Sequence, residues 1–148
     1  RDAGMRVAGY EYQDVCYRMD SVQSYFKFNL DVIDPSIRHA LFREDKPVYT
    51  KVRDELPARY LGNARVLNSM VADGCIVDGT VDHCVLFRGV KIAKGARVKN
   101  CVIMQDSQIE EGVWLENCIL DKQAVIKRDG KLIGPNSYPI VISKDMSI

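Results

Sequence analysis

Three of the five cysteines recur at a fixed interval, as Cys84, Cys101 and Cys118. Thiolates bind metals, attack electrophiles and form disulfides, so a regular set of cysteines is the first candidate for chemistry in this chain. The interval is seventeen residues, however, and the sequence has no C-x-x-C pair of the kind used by zinc sites and redox motifs. Cysteines at one position of successive coils would stand in parallel, which is a poor geometry for a disulfide. We expect reduced thiols that fill a core, and no metal site.

His83 stands immediately before Cys84, and Asn100 and Asn117 take the same place before the next two cysteines. Histidine is the side chain used most often as a general base in enzymes. Asparagine and histidine are also among the residues that tolerate the positive backbone φ of a sharp corner. No second catalytic group stands beside His83, and the other histidine, His39, lies outside the repeat. The pattern therefore predicts a corner residue at position 83.

Both spacings belong to a longer repeat that occupies residues 66 to 126. Each unit of seventeen residues divides into segments of five, six and six residues, and each segment begins with a large aliphatic residue. Strand alternation places that residue and a small residue three or four positions later on the same inward side. A fixed period is typical of a solenoid, and three segments per period predict coils of triangular cross-section. The aliphatic residues are Val81, Leu86, Ile92, Val98, Ile103, Ile109, Leu115, Leu120 and Ile126.

The corners of these coils carry residues that suit a positive φ, and one coil is shorter than the rest. The predicted corner residues are Gly74, Gly89, Gly95, Gly112, Asn68, His83, Asn100 and Asn117. An earlier coil that begins at Val66 follows the same register, but Val81 comes only four positions after Val77. One corner of that coil must therefore be tighter than the others.

Segments of the form aliphatic-x-x-Gly-small-x resemble the hexapeptide signature of the left-handed parallel β-helix. The resemblance implies a mainly β fold, with the hexapeptide-repeat solenoid preceded by a short helical segment. The left hand comes from the resemblance alone and is opposite to the usual crossover rule. Two other functions are compatible with such a solenoid: a hexapeptide-repeat acyltransferase, in which a histidine is the general base, and a purely structural, oligomerising β-helix.

The amino-acid composition limits the classes of partner and location that the protein can have. The chain has 148 residues, with 21 basic and 20 acidic side chains and a net charge of +1. This balance gives no electrostatic footprint for nucleic acid or for a membrane surface, and we expect neither as a partner. No apolar stretch approaches the length of a transmembrane helix, so we expect a cytoplasmic protein. The chain opens at Arg1 and its first methionine is Met5, which favours a piece of a longer protein.

Residues 1 to 33 differ in kind from the repeat. Asp20 or Ser21 can cap a helix whose apolar residues recur at helical spacing and that ends near Asp34-Pro35. Those residues are Val22, Tyr25, Phe26, Asn29, Leu30 and Ile33. Pro35 can start a short turn of helix, and residues 43 to 60 read as an extended connection with one strand, Val48 to Val52. We therefore divide the chain into a helical segment (1–33), a connection (34–60) and the β-helix (61–148).

The order of these parts resembles the C-terminal part of bacterial glucose-1-phosphate adenylyltransferase (ADP-glucose pyrophosphorylase). The resemblance rests on Gly9-Tyr10, Met19 to Phe26, Asn29 to Asp31, Pro47 to Thr50 and Asn68 to Cys75. In that family an N-terminal nucleotidyltransferase domain uses ATP, glucose 1-phosphate and magnesium to make ADP-glucose and pyrophosphate for glycogen synthesis. The β-helix serves assembly and allosteric control. The resemblance implies that residues 1 to 33 end such a domain and that magnesium and ATP belong to the parent enzyme, with no cofactor in this chain.

One stretch departs from the catalytic subunits of that family, which carry Trp-x-Asp-Val-Gly-Thr-Ile before the Asp-Ser pair. Here Glu11 to Met19 has two extra residues and no Gly-Thr, although Asp14 keeps an aspartate that could belong to the metal site. This form resembles the D-type regulatory subunits. The resemblance implies a chain that catalyses nothing by itself and that joins a catalytic subunit in a hetero- or homo-tetramer.

The same resemblance implies a site for an anionic effector, such as a sugar phosphate or a nucleotide. Lys144, in Tyr138 to Lys144, takes the place of a family effector lysine, and Lys127, Arg128 and Lys131 lie where the last coil closes. Phosphate recognition commonly uses clustered lysine and arginine. The alternative is a solvated basic rim, because four basic residues in eighteen are common on a protein surface.

One outward face of the solenoid is apolar. If Cys84 and Leu86 point inward, their neighbours point outward, and the repeat places further apolar side chains beside them. The predicted interface residues are Val85, Phe87, Val102, Met104 and Ile119. A contiguous apolar patch usually marks a contact surface. We expect this face to pack on the helix near Tyr25 and Phe26, on the preceding domain, or on another subunit.

Overall fold

The computed structural model describes Gly4, residues 7–50 and residues 53–148. Two short helices, α1 (Val22–Asp31) and α2 (Pro35–Leu41), precede a parallel β-solenoid of about four turns. The strands are β1 (Arg59–Tyr60), β2 (Arg65–Leu67), β3 (Met70–Val71), β4 (Ile76–Val77), β5 (Thr80–Asp82), β6 (Val85–Leu86), β7 (Lys91–Ile92), β8 (Arg97–Ile103), β9 (Gln108–Ile109), β10 (Trp114–Leu120), β11 (Val125–Ile126), β12 (Lys131–Ile133) and β13 (Ile140–Ile142). The mainly β class and the solenoid are confirmed, whereas the left hand of the coil stays a prediction. Within these ranges, no helix has both the length and the apolar character needed to cross a membrane.

Both helices begin at the residues that the sequence indicates. The Ser21 hydroxyl accepts a hydrogen bond from the Ser24 backbone N–H, and the Ser24 hydroxyl accepts one from the Ser21 backbone, which forms a capping box. Asp34 caps α2 by accepting from the Ser36 N–H, and Pro35 occupies the first turn, where no backbone donor is needed. Helix α1 ends two residues before Ile33. The short helical turn predicted to start at Pro35 is confirmed as α2.

The strand expected at Val48 to Val52 is wrong where the structure describes it. Val48, Tyr49 and Thr50 are exposed and belong to no strand, while residues 51 and 52 lie outside the described residues. A β-branched or aromatic run forms a strand only beside a hydrogen-bonding neighbour, and residues 48–50 have none. The first rung of the solenoid is instead β1, whose Arg59 pairs with Ile76.

The seventeen-residue register holds through the middle of the solenoid. Val81 pairs with Val98, and Val98 pairs with Leu115, in parallel. The first coil is two residues shorter, since Arg65 pairs with Thr80, and the last is five longer, since Cys118 pairs with Ile140. Parallel pairing at a constant offset stacks equivalent side chains directly on one another.

The tight corner of the first coil contains Gly79. A Cβ on this residue would lie 2.5 Å from the Ala96 carbonyl oxygen and 2.9 Å from the Ala93 carbonyl oxygen. The two residues that this coil lacks are the ones that Lys94 and Gly95 supply in the next coil. Only glycine permits so close an approach of two backbones.

Inward columns of aliphatic and small residues form one continuous core. The three repeating cysteines are fully buried, as are the small residues Ser107 and Ala124. The Ser107 hydroxyl donates to the Asp121 carbonyl at 3.0 Å, which satisfies the one polar side chain of that column. The large aliphatics that begin each segment are buried as well, so the inward register is confirmed.

All eight predicted corner residues have a positive φ, and four further corners use larger residues. These are Asp106, Gln123, Asp129 and Asp145. Asp106 follows Gly89 by one coil and Asp129 follows Gly112, and each carboxylate lies over the glycine beneath it. The glycine of one coil therefore leaves room for the aspartate of the next.

Candidate functional site

Helix α1 lies on the outward apolar face of the solenoid and packs against β8. Val102 and Ile119, both on that face, are 0% and 4% exposed. Because their side chains point away from the core and α1 contacts β8, the strand of Val102, we attribute this burial to the helix. The face that the sequence marks as apolar is thus partly occupied within this chain.

The uncovered part of the apolar face lies toward the first coils. Val85, Phe87 and Met104 are half-buried. A groove of about 270 Å³ runs beside them and is lined by Met70, Val71, Ala72, Val85, Leu86 and Phe87. Of the five predicted interface residues, two are buried under α1 and three border surface that remains open to a further contact.

One corner of the solenoid carries a continuous line of hydrogen-bonded side chains, which we call the asparagine ladder (His83, Asn100, Asn117 and Asn136). Asn100 Oδ1 lies 2.9 Å from His83 Nδ1, and Asn100 Nδ2 donates to Asn117 Oδ1 at 3.3 Å. Asn117 Nδ2 donates to the Gly134 carbonyl at 2.9 Å and to Asn136 Oδ1 at 3.0 Å. Ladders of this kind satisfy polar groups that would otherwise be orphaned, as at Asn117, which is 5% exposed.

The ladder fixes the tautomer of His83. A carbonyl oxygen only accepts, so Gly134 requires the amide nitrogen of Asn117, and the oxygen of Asn117 must face Asn100. Asn100 then turns its own oxygen toward His83, whose Nδ1 must carry a proton. In the neutral ring, Nε2 is consequently a free acceptor on the side away from Asn100.

A cleft of about 380 Å³ separates α1 from the asparagine ladder. It is lined mainly by Gln23, Phe26, Lys27, His83, Asn136 and Ser137. A second cleft, of about 400 Å³, adjoins it and extends past Ile33, Asp34 and Asn68. The two clefts share Leu30, Asp31 and His83, so they form one groove along this corner.

The charges that border the groove are paired with one another. Lys27 Nζ contacts Asp31 Oδ2, and the Tyr17 hydroxyl donates to the same oxygen at 3.0 Å. The hydrogen bond to Asp31 raises the pKa of Lys27, which therefore stays charged. Asp31 is half-buried, because the Tyr17 side chain lies against it. The pair leaves little net charge at the mouth of the cleft.

The four predicted effector residues are distributed over two corners and one side of the closing coils. Lys127 and Arg128 lie at the corner of Asp129, Lys144 lies at the corner of Asp145, and Lys131 begins the following side as part of β12. Lys144 belongs to the coil that is stacked on the one with Lys127 and Arg128, because Val125 pairs with Ser147. A phosphate would require at least two of the four basic residues to converge.

Each of the four basic residues also has a partner of its own. Lys127 Nζ lies 3.2 Å from Glu110 Oε1, and Arg128 Nη2 lies 3.0 Å from Glu111 Oε2. Lys131 Nζ lies 4.5 Å from the centre of the Trp114 ring, and Lys144 Nζ lies 3.5 Å from Asp145 Oδ2. The Arg128 backbone N–H and the Lys127 ammonium hold the pKa of Glu110 below its usual value. Three of these partners lie seventeen positions earlier in the chain, so the period of the repeat predicts these three contacts.

The five cysteines are free thiols, and four of them are buried. The Sγ of Cys101 donates to the Lys99 carbonyl at 3.0 Å, and burial raises the pKa of this thiol well above its usual value. Burial likewise raises the pKa of Cys75. A protonated, enclosed thiol is a poor nucleophile and a poor metal ligand.

Nothing in the described part of the chain fits a magnesium site. No group of three or more histidine, cysteine, aspartate or glutamate side chains converges there. Asp14 is exposed, and its Oδ2 lies 3.9 Å from Arg43 Nη1. A divalent ion needs several oxygen ligands at once, and a lone surface carboxylate does not supply them.

Short segments led by buried aliphatics, with positive-φ corners and a constant parallel register, define a hexapeptide-repeat β-solenoid. The sequence model of the family described as GlmU-like, C-terminal hexapeptide, matches residues 57–138, more than half of the chain, and the chain belongs to this family. The segment that contains α1 and α2 lies before the matched residues.

Individual relatives extend the similarity through the helices. The chain is 41% identical over 144 residues to the glycogen biosynthesis protein GlgD of Bacillus subtilis (strain 168). The aligned residues are 97% of this chain and 42% of that protein. It is 46% identical over 70 residues to GlgD of Geobacillus stearothermophilus, covering 47% of this chain and 20% of that protein. It is 38% identical over 143 residues to the glucose-1-phosphate adenylyltransferase of Clostridium beijerinckii, covering 96% of this chain and 37% of that enzyme. The chain spans less than half the length of these relatives.

Proposed function

We propose that this chain is the regulatory and assembly part of a protein that acts with a glucose-1-phosphate adenylyltransferase in glycogen synthesis, and that it has no catalytic activity of its own. The observation that carries the proposal is the similarity to the Bacillus subtilis glycogen biosynthesis protein GlgD over 97% of the chain. That similarity includes the helices as well as the solenoid, so it concerns how the two are joined and not only the repeat.

Four features of the described residues support a non-catalytic role. Nδ1 of His83 is hydrogen-bonded within the ladder, and burial raises the pKa of the Cys75 and Cys101 thiols. No cluster of metal-binding side chains forms among them. The stretch from Glu11 to Met19 lacks the Gly-Thr of the catalytic subunits it otherwise resembles. An acyltransferase function would need a base and an acyl-donor site, and the ladder accounts for His83 without one.

For assembly, we propose that Val85, Phe87 and Met104, with the groove beside them, contact the preceding part of the protein or a partner subunit. The apolar surface is continuous with the surface that α1 already covers, at Val102 and Ile119. Burial of such a patch provides the hydrophobic driving force of an interface. Hydrophobic contacts at this face would hold the solenoid against the preceding part of the protein or against the partner subunit.

The proposed function is tested by measuring ADP-glucose formation by the catalytic adenylyltransferase subunit of the same organism. We expect the 148-residue chain alone to give no turnover, and the full-length protein to change the activity or the effector response of the catalytic subunit. Val85→Glu should abolish that change, because it places a charge in the apolar patch. Lys91→Glu, on another side of the coil, is the matched control. Turnover by the chain alone, or an unaltered catalytic subunit, would contradict the proposal.

The effector site stays a prediction that centres on Lys144. We propose that an anionic effector would replace Asp145 as the partner of the Lys144 ammonium, which is exposed. In the assembled enzyme, Lys144→Ala should raise the concentration of sugar phosphate needed for half-maximal activation, whereas Lys91→Ala should leave it unchanged. An unchanged curve with Lys144→Ala removes this residue from the site. Lys127→Ala and Arg128→Ala test the other corner in the same way.

A further inference from the structure

The groove between α1 and the asparagine ladder has no role in the proposed regulation and assembly. We propose that it binds a neutral saccharide, with the sugar ring held between Phe26 and the polar side chains of the ladder. Its two parts, of about 380 and 400 Å³, each fall within the size range of small-molecule sites. Leu30, Asp31 and His83, which line both parts, join them into one groove.

The side chains that line the groove match the chemistry of sugar hydroxyls. A hydroxyl both donates and accepts, and the amides of Gln23 and Asn136 and the hydroxyl of Ser137 can do the same. Phe26 and Leu30 supply an apolar wall for the C–H face of a pyranose ring. Binding sites of this kind combine apolar walls with a few placed polar groups.

His83 adds an acceptor whose identity the ladder determines. Its Nδ1 carries the proton that faces Asn100, so Nε2 is available to accept a hydrogen bond from a ligand hydroxyl. His83 lines both parts of the groove. The other coils place asparagine at the same corner, and only this coil presents an imidazole to the groove.

The charges around the groove disfavour an anion. Lys27 is neutralised by Asp31, and Asp34 adds a second carboxylate in the adjoining part. Hydrogen bonds from Ser36 lower the pKa of Asp34, and the nearby guanidinium of Arg38 adds to this effect. The charges that border the groove in the described residues therefore nearly cancel and offer an anion no excess of positive charge. The ligand that suits the groove is therefore uncharged, unlike the effector expected at the basic residues.

The test is a titration of the full chain with maltotriose and, separately, with cellotriose, followed by changes in its amide NMR spectrum. Saturable shifts at α1 and at the ladder with either sugar are expected, and glucose 1-phosphate should bind more weakly than that sugar. The absence of saturable shifts with both trisaccharides would overturn the proposal, as would tighter binding of glucose 1-phosphate. This experiment measures no adenylyltransferase activity, so its outcome is independent of the proposed function.

His83→Asn is the informative variant. Asparagine occupies this positive-φ corner in three other coils, so the fold and the ladder should survive, which the melting temperature checks. Loss of the imidazole acceptor should weaken sugar binding by about tenfold, the effect of one hydrogen bond. Gln23→Ala, on the exposed side of α1, should weaken binding without touching the solenoid, and Lys91→Ala should leave it unchanged. Unchanged affinity in both His83→Asn and Gln23→Ala would refute the site.

Discussion

Gly79 shows how one residue sets the length of a coil. The first coil omits two corner residues, which brings the Gly79 backbone against the carbonyls of Ala93 and Ala96 in the next coil. Positive φ is not the reason for glycine here, because the constraint is the space for a Cβ. A side chain of any size would force two rungs apart.

We expect Gly79→Ala to lower the free energy of unfolding by about 1 to 3 kcal/mol, the usual cost of overpacking. Urea denaturation measures the effect. Gly62→Ala is the matched control, since a Cβ at Gly62 meets nothing within 4 Å. That variant should be neutral or slightly stabilising, because it reduces the freedom of the unfolded chain. Equal stability of the two variants would show that the corner can relax.

Cys101 links the core to pH. Burial raises the pKa of its thiol, so the folded protein keeps the proton at pH values where the unfolded thiol loses it. Since the unfolded thiol has a pKa of about 8.5, this contribution is fully present below that pH and is lost as the pH rises toward the folded pKa. A buried, paired carboxylate has the opposite effect, because its contribution to stability is lost as the pH falls.

The urea midpoint of the wild-type chain should therefore fall as the pH rises above about 8.5. Cys101→Ala should show a shallower fall, because one thiol with a raised pKa is missing. Tyrosine ionisation affects both chains alike, and the hydrogen bond with Cys101 lowers the pKa of Cys118, so the difference between the two curves reports the ionisation of the Cys101–Cys118 pair. Parallel curves for the two chains would mean that Cys101 does not carry the effect.

At the scale of elements, α1 is held by a capping box at its start and by the apolar face of the solenoid along its length. A ten-residue helix is marginal in water by itself. Packing on Val102 and Ile119 is therefore what keeps it helical. The helix and the face it covers form one cooperative contact.

Val102→Glu should detach α1, because an unpaired carboxylate cannot stay at a fully buried position. The expected result is a loss of helical circular dichroism and faster amide exchange in residues 22–31, with the solenoid still folded. Val141→Glu is the control, since Val141 stands two rungs away in the same outward column and is 47% exposed. If α1 retained its exchange protection in Val102→Glu, the helix would owe its stability to other contacts.

At the scale of the molecule, the continuous core predicts that the solenoid unfolds as a unit. Cys75, Cys84, Cys101 and Cys118 lie in one core, whereas Cys16 is exposed. Each coil buries its residues only against its neighbours, so a break at one coil weakens the next. The reactivity of the four buried thiols therefore reports the unfolding of the whole solenoid.

Iodoacetamide should modify Cys16 quickly in the native chain and leave the four core thiols unmodified. In rising urea, the four should become reactive together, with one midpoint that coincides with the loss of β circular dichroism. Mass spectrometry counts the labels. Stepwise labelling, with Cys75 first and Cys118 later, would instead show that the coils open one after another from the N-terminal end.

The sequence by itself determined the solenoid, its inward columns and its main corners. The period of seventeen, the size of the side chains at Val81, Cys84 and their equivalents, and the positive-φ residues are all local properties that repeat. Regular stacking turns each of them directly into structure. The same offset pairs Lys127 with Glu110 and Arg128 with Glu111, so these ion pairs could also be predicted from the sequence.

Only the tertiary structure decided where the repeat is broken and what lies against it. The last coil has five extra residues, and Asn136 lies beside Asn117 in the next coil. The seventeen-residue spacing of the repeat does not predict this contact. Helix α1 docks on β8 rather than elsewhere, which buries Val102 and creates the groove at His83. Val48 to Thr50 have strand-forming side chains but no neighbouring rung, and they form no strand. Contacts between segments far apart in the chain depend on shape and on available partners, which local periodicity does not encode.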